Sequence, residues 1–221
     1  MNSHEQYEED VAGLLATANA LLTGASDAEL LMAYFETLKQ FFNDSNSWQE
    51  NIVIVVIPNT QDYQLTATTG RIIRLWAVTD QNNVPQAAIM PVPGLLHFLY
   101  PYTTVQPMAV TVIKNVISAF KDGRPAPPRI PDWIIPLYGN GILEGVVGRM
   151  MLESGQSYSD AKNGIMRIGR FRDAVVLART MTARGHTVGV QTWAYPQSFK
   201  VTTQRGGTST FNVNPSPQTA R

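Results

Sequence analysis

The sequence predicts an α+β fold in which an antiparallel helical bundle, residues 5–45 and 132–184, carries an inserted small β module and an extended C-terminal arm. Three observations point there. Apolar residues recur at three- and four-residue spacing near both ends of the folded region. Between them the pattern changes to short β-branched runs separated by Pro, Gly and Asn. Beyond Arg184 the chain turns polar and loses periodicity. The organisation read from these shifts is a helix pair (1–47), a β insertion (48–120), a Pro-rich connector (121–131), a second helix pair (132–185) and an arm (186–221).

The first helix carries Val11, Leu14, Leu15, Ala18, Leu21 and Leu22 in one stripe. Ser3 with Gln6 forms a capping pattern before it, and Gly24 suits its end. The second opens at Ser26-Asp27-Ala28-Glu29, where Ser and Glu can satisfy each other's free backbone N–H groups. Its stripe is Leu31, Tyr34, Phe35, Leu38 and Phe42, and Asn43 to Ser47 stops it. Ile52 to Ile57 is then an unbroken β-branched run, which reads as a strand buried on both faces. Gln61 to Leu65 is a short alternating segment. Arg71 to Thr79 is a strong strand, with Ile73, Leu75 and Ala77 on one face and Ile72, Trp76 and Val78 on the other. Gln86 to Met90 is placed to pair back across the Gln81-Asn82-Asn83 turn, and Met108 to Val116 is a further strand.

Lys121 to Pro131 holds four prolines and one glycine, so it reads as a stiff connector. A helix over 132–153 follows, with Ile134, Ile135, Leu137, Ile142, Leu143, Val146, Val147 and Met150 as its apolar surface. Pro136 falls near its first turn, where a missing N–H is tolerated. Gly141, Gly145 and Gly148 suit the close approach of another helix. The last helix starts at Ser157-Tyr158-Ser159-Asp160 and ends at Arg184. Its buried stripe is Ala161, Gly164, Ile168, Phe171, Val175 and Ala178, with Lys162, Arg170 and Arg184 on roughly the opposite side. Neither helix pair can cover its own stripe, so the two pairs are expected to share a core.

Composition narrows the function. The 221 residues include no cysteine, which excludes disulfides, thiolate catalysis and cysteine-bound metal. Charged residues make up 15%, against an ordinary quarter, while 44% are apolar. Such a chain folds, and it suits a protein that hides surface against partners. The polar, acidic start MNSHEQYEED is neither a secretory signal nor a transit peptide. The longest uncharged stretch, Gln81 to Ile113, holds five prolines and cannot be one membrane-spanning helix. A soluble intracellular chain is expected. Net charge is zero, yet residues 1–50 hold nine acids against Lys39 alone, and the remainder holds sixteen bases against eight acids. One half can therefore attract the other, within a chain or between copies.

No catalytic constellation emerges. His4, His97 and His186 fall in separate zones without carboxylates at ligand spacing, so they read as ordinary structural or surface histidines. Gly139-Asn140-Gly141 fails as a dinucleotide fingerprint because Glu144 stands where the third glycine belongs. Gly155 to Ser159 lacks the last glycine of a nucleophile elbow. Glu144, Asp160 and Asp173 are single acids in a basic region, where salt bridges are the default. Neither a metal nor a cofactor is expected. The strongest signal is basic: residues 162–205 carry Lys162, Arg167, Arg170, Arg172, Arg179, Arg184, Lys200 and Arg205 against Asp173. This face can be solvated, can dock protein, or can touch DNA without sequence preference.

The order of features resembles the head-to-tail adaptor (connector) proteins of tailed bacteriophages, most of all those of short-tailed phages. The likeness lies in Trp48, Asp62-Tyr63-Gln64-Leu65 and Arg71-Ile72-Ile73-Arg74-Leu75. It continues in Pro131-Asp132-Trp133, Gly145-Val146-Val147-Gly148-Arg149-Met150-Met151, Tyr158-Ser159-Asp160 and Phe171-Arg172-Asp173-Ala174. It covers most of residues 5–185 as a pattern of order and spacing, and the arm lies outside it. The resemblance implies a structural virion protein rather than an enzyme, assembled in the host cytoplasm and placed at the head-tail junction. It implies a ring of about twelve copies joining the portal protein to the tail or nozzle, with a channel for DNA and no membrane partner. Arg167, Arg170 and Arg184 are then candidates for facing either that channel or a neighbouring subunit.

The arm supplies the other candidates. Fourteen of the nineteen residues from Thr203 are Gly, Pro, Ser, Thr, Asn or Gln, too polar to order on their own domain. Before them, Trp193, Tyr195 and Phe199 stand in a polar stretch. Three rigid rings outside any helical stripe are good interface anchors, here for the portal or a neighbouring subunit. They can also fold back on their own helices. The rival function is a monomeric, non-specific nucleic-acid-binding protein using the basic C-terminal helix.

Overall fold

In a computed structural model, residues 3–117, 119–121 and 124–185 are described. Among them the chain is mixed α+β. Helices α1 (Ser3–Leu21) and α2 (Asp27–Ser45) come first. Eight strands follow: β1 (Gln49–Val56), β2 (Asp62–Gln64), β3 (Arg71–Asp80), β4 (Ala88–Val92), β5 (Leu95–Phe98), β6 (Gln106–Asn115), β7 (Ala119–Lys121) and β8 (Arg124–Ala126). Helices α3 (Ile134–Met151) and α4 (Ala161–Ala183) close the described region.

The capping box at α2 forms as expected, with the Ser26 side chain accepting from Glu29 N and the Glu29 carboxylate accepting from Ser26 N at 2.9 Å. The buried face of α2 is rotated from the expected stripe. Leu30, Ala33, Thr37 and Phe41 are buried beside Tyr34, Leu38 and Phe42, whereas Leu31 and Phe35 are only partly covered. The aliphatic hydroxyls buried with this face, those of Thr37 and Ser45, find partners close by. Thr37 Oγ1 donates to Ala33 O at 2.7 Å, and the Ser45 and Ser47 hydroxyls pair at 2.8 Å, so neither is buried unsatisfied.

One hydrophobic cluster draws on all four helices, from Val11, Leu14 and Ala18 through Phe41 and Phe42 to Ile142, Val146, Phe171 and Val175. Three of the four α3 glycines, Gly141, Gly145 and Gly148, explain its density. A Cβ on Gly145 would stand 2.6 Å from Thr37 Cγ2 and 2.7 Å from the Phe171 ring, one on Gly148 would lie 3.0 Å from Arg167 Cβ, and one on Gly141 would collide with Ala174. Only glycine lets α2 and α4 come this close to α3. The last two helices start later than expected: α3 begins at Ile134 and α4 at Ala161, with Asp160 as N-cap, its carboxylate accepting from Asn163 N at 3.0 Å. Ala161, assigned to the buried stripe of the last helix, is exposed, and so is Leu137 of the α3 apolar surface.

The insertion forms two antiparallel sheets, ordered β1-β6-β3 and β2-β5-β4, around a second core of Val56, Leu65, Ile72, Val78, Leu96, Phe98, Met108, Val110 and Val112. The Phe98 ring packs edge-on against Tyr63 at 5.6 Å and Tyr102 at 5.1 Å. The run from Ile52 to Ile57 is not buried on both faces. β1 is an edge strand whose Val53, Val55 and the following Ile57 are more than half exposed. The simple alternation expected of β3 also fails. Register shifts between Ile72 and Arg74 and between Leu75 and Ala77 each flip the parity, which turns Trp76 outward and leaves Leu75 against the core. β4 pairs with β5 rather than back on β3, to which only the Thr79–Pro85 bridge connects that segment. Part of the expected connector is a two-stranded ribbon, β7 against β8.

Trp48 and Val116, at the two ends of the insertion, are buried in the helical cluster. Asn115 Nδ2 donates to Lys39 O at 3.0 Å and Arg74 Nη2 to Asn43 O at 3.0 Å, which joins the sheet to α2. Among the described residues no helix is long and apolar enough to cross a membrane.

Candidate functional site

The basic helix α4 is built by a two-sided sequence. Gly164, Phe171, Val175 and Ala178 face α3 and α2, and the exposed positions include Lys162, Arg170, Arg172 and Arg179. Of the three arginines expected at a channel or an intersubunit contact, two converge on one carboxylate. Arg167 Nη1 donates to Glu144 Oε1 at 3.1 Å, and Arg170 Nη1 lies 3.5 Å from the same oxygen. Glu144 sits on α3, so this pair fastens α4 to α3, the salt bridge expected of a lone acid in a basic region. The other oxygen, Glu144 Oε2, is buried without a hydrogen-bond partner among the described residues. Arg167 is consequently four-fifths covered, while Arg170 remains mostly exposed. Arg184 caps α4 at its C-terminal end, 14 residues on from Arg170 and about 20 Å along the helix axis. The structure therefore joins Arg167 with Arg170 and leaves Arg184 apart. Trp193, Tyr195 and Phe199 lie outside the described residues.

α4 also presents apolar surface that the sequence reading did not single out. Ile165, Met166, Val176 and Leu177 are exposed on the side away from α3. The signal was there: positions 165 and 176 are eleven residues apart, three helical turns, so they share a face. In the sequence that stripe is masked by the complete apolar stripe on the other side of the helix.

The polar residues at the turns are structural. Ser157 Oγ donates to Thr23 O at 2.9 Å, tying the α3–α4 turn to the α1–α2 turn, and Ser159 Oγ donates to Glu153 O. Tyr7 OH donates to Pro128 O at 2.6 Å and holds α1 to the Pro-rich segment; burial pushes this phenol up to about 12. His97 Nδ1 lies 2.8 Å from Asp62 Oδ1 across the β2–β5 pair. Among the described residues no group of three or more His, Asp or Glu could hold a metal ion.

The most buried charge is one the sequence reading passed over. Lys114 Nζ, nearly fully buried on β6, lies 2.7 Å from Glu50 Oε2 on β1 and 4.7 Å above the Trp48 ring. Burial pushes the Glu50 carboxyl up, but hydrogen bonds from Lys114 and from the Thr68 hydroxyl and N–H outweigh it and hold the group below its ordinary value. Its position, at the junction of sheet and helices, assigns it to the architecture.

Clefts open beside these elements, one of them, about 450 Å³, between Glu36 and Lys39 of α2 and Arg71 of β3. Another, of about 480 Å³, is lined by Ser47, Gln49, Trp133, Leu137, Thr182 and Gly185. A smaller one, about 260 Å³, lies between α1 and α3, with Gly13 and Thr17 on one wall and Leu137 and Asn140 on the other. Neither of the last two gathers a nucleophile with a base. No protein-family model matches the chain, and no curated protein matches it.

Proposed function

We propose that the chain is a head-to-tail adaptor of a tailed bacteriophage, a non-enzymatic virion protein. Copies of it form a ring that joins the portal to the tail and leaves a channel for DNA. The observation that carries the reading is the way the insertion interrupts the helices. Two helix pairs, separated in sequence by the whole β module, contribute to one hydrophobic cluster, the organisation that the resemblance implies. In this reading residues 5–45 and 132–184 make one antiparallel bundle, and the arm from residue 186 reaches onto the portal or a neighbouring copy through Trp193, Tyr195 and Phe199. Exposed apolar side chains on α4 and β1, on a chain with few charges, are further support, because a subunit that stays alone keeps such surface small. The rival, direct DNA binding through α4, is weakened by the engagement of Arg167 and Arg170 with Glu144.

The test is capture by the portal ring of the same virus. The adaptor reading expects purified portal rings to retain this chain at a fixed ratio, in complexes that survive salt high enough to release DNA. A portal ring that does not retain it, alongside salt-sensitive binding to duplex DNA of any sequence, refutes the adaptor reading in favour of its rival.

A further inference from the structure

We infer that the outward face of α4 in one copy docks on the outward face of α1 in the next. This inference rests on the ring reading and names the two surfaces that build the ring. Three features of the chain support it.

The first is unpartnered apolar surface at one place. Ile165 and Val176 are 67% and 62% exposed, and with Gly169 they fall within about 40° of one another around the helix. Gly169 sits in the middle of α4, where glycine is destabilising relative to alanine. Among the described residues nothing outside its own turn of helix requires it there, since a Cβ at this position would meet no such atom within 4 Å.

The second is a matching face on α1. Glu9, Gly13, Ala16 and Ala20 lie within about 60° of one another, on the side opposite the buried Val11, Ala18 and Leu22. Gly13 is also mid-helix with open space where its Cβ would be. Small residues on this side form a shallow surface that large side chains from another helix can fill.

The third is charge. Glu9 lies on that face of α1 with Asp10 next to it, and Arg172 and Arg179 flank the Ile165–Val176 stripe of α4, apart from Arg167 and Arg170, which Glu144 engages. Within a chain these helices cannot neutralise each other: both pack on α2 and α3, and among the described elements α1 and α4 share no contact. Among the described residues neither Glu9 and Asp10 nor Arg172 and Arg179 form an ion pair, and the complement of each face is on another copy. The two faces differ, so the contact is heterologous, and every copy offers one of each, which lets the contact repeat around a ring.

The experiment uses two full-length charge-swapped chains. One carries Arg172→Glu and Arg179→Glu on α4, and the other carries Glu9→Arg and Asp10→Arg on α1. Circular dichroism and thermal melting check that both remain folded. Self-association is followed by sedimentation velocity, alone and with portal rings present. The native chain should assemble, and each swapped chain alone should associate at least about tenfold more weakly, because like charges now face each other. An equimolar mixture should recover assembly, since each swapped face then meets its opposite in alternating copies. Gly169→Leu should block assembly as well, while raising the melting temperature by about 2–4 °C through better helix propensity. Swapped chains that assemble alone like the native one, or a mixture that stays dissociated while the native chain assembles, overturn this inference and leave the ring reading standing. Two other results overturn it in the same way: Arg172 and Arg179 substitutions that weaken only DNA binding, or hydrogen exchange showing this α4 face shielded in the monomer by residues 186–221. A native chain that never assembles, with or without the portal, overturns both.

Discussion

The Lys114–Glu50 pair offers the sharpest test of how the sheet is held to the helices. Replacing Lys114 with Met keeps the stem that packs on Trp48 and removes the ammonium that lies 2.7 Å from Glu50. Breaking a fully buried pair by removing one partner costs about 3–5 kcal/mol. The Glu50 side chain is 18% exposed and keeps its two donors from Thr68, so we expect less, about 2–3 kcal/mol. For a chain of this size that corresponds to a fall of roughly 4–12 °C in melting temperature. The double variant Glu50→Gln with Lys114→Met removes both charges and should recover at least half of the loss. Urea unfolding at neutral pH measures all three chains. The pH dependence has a fixed sign. Glu50 titrates below its ordinary 4.5 in the fold, so the stability it contributes is present above that value and disappears as pH falls through the lower, folded one. Native and Lys114→Met curves should therefore converge below pH 4.5. A single variant within about 0.5 kcal/mol of native, or a double variant whose loss is the sum of the two singles, refutes the argument that this pair is coupled and desolvated.

Gly145→Val should destabilise by more than 1–3 kcal/mol, the usual range for overpacking of about one methylene or two, because its first carbon already meets Thr37 and Phe171; chemical denaturation reads it, and a neutral result sinks the close-approach account. Ser26→Ala should cost about 1 kcal/mol through loss of the N-cap, and an unchanged melting curve would show the cap to be idle. Tyr7→Phe removes the bond to Pro128 O and should cost about 1 kcal/mol at neutral pH. The folded phenol is raised from 10.0 to about 12, so its stabilisation is complete below pH 10.0 and is lost as pH rises through about 12. The gap between native and variant should close across that interval, and phenolate absorbance should follow unfolding; a gap independent of pH contradicts the burial of Tyr7.

What the sequence by itself determined here is local or periodic. The α2 capping box could be read from Ser26 and Glu29 because its two partners are three residues apart and need nothing else. The α3 glycines announced a close helix contact because an interior glycine has a cost that only such a contact explains. The buried line on α4 was legible from Gly164 to Ala178 because one element sets helical spacing. The tertiary structure decided everything that depends on a partner far along the chain. Whether Ile52 to Ile57 lies inside or at an edge depends on what pairs with β1 and covers it, and β6, more than 50 residues later, pairs on one side only. The outward turn of Trp76 depends on bulges that are a property of two strands together. Lys114 looked like the end of an uncharged stretch, and only the fold brought Glu50, Thr69 and Trp48 around it. The separation of α1 from α4 has the same origin. Opposite charge on two helices is visible in composition, but only the packing of both on α2 and α3 keeps the two helices out of contact.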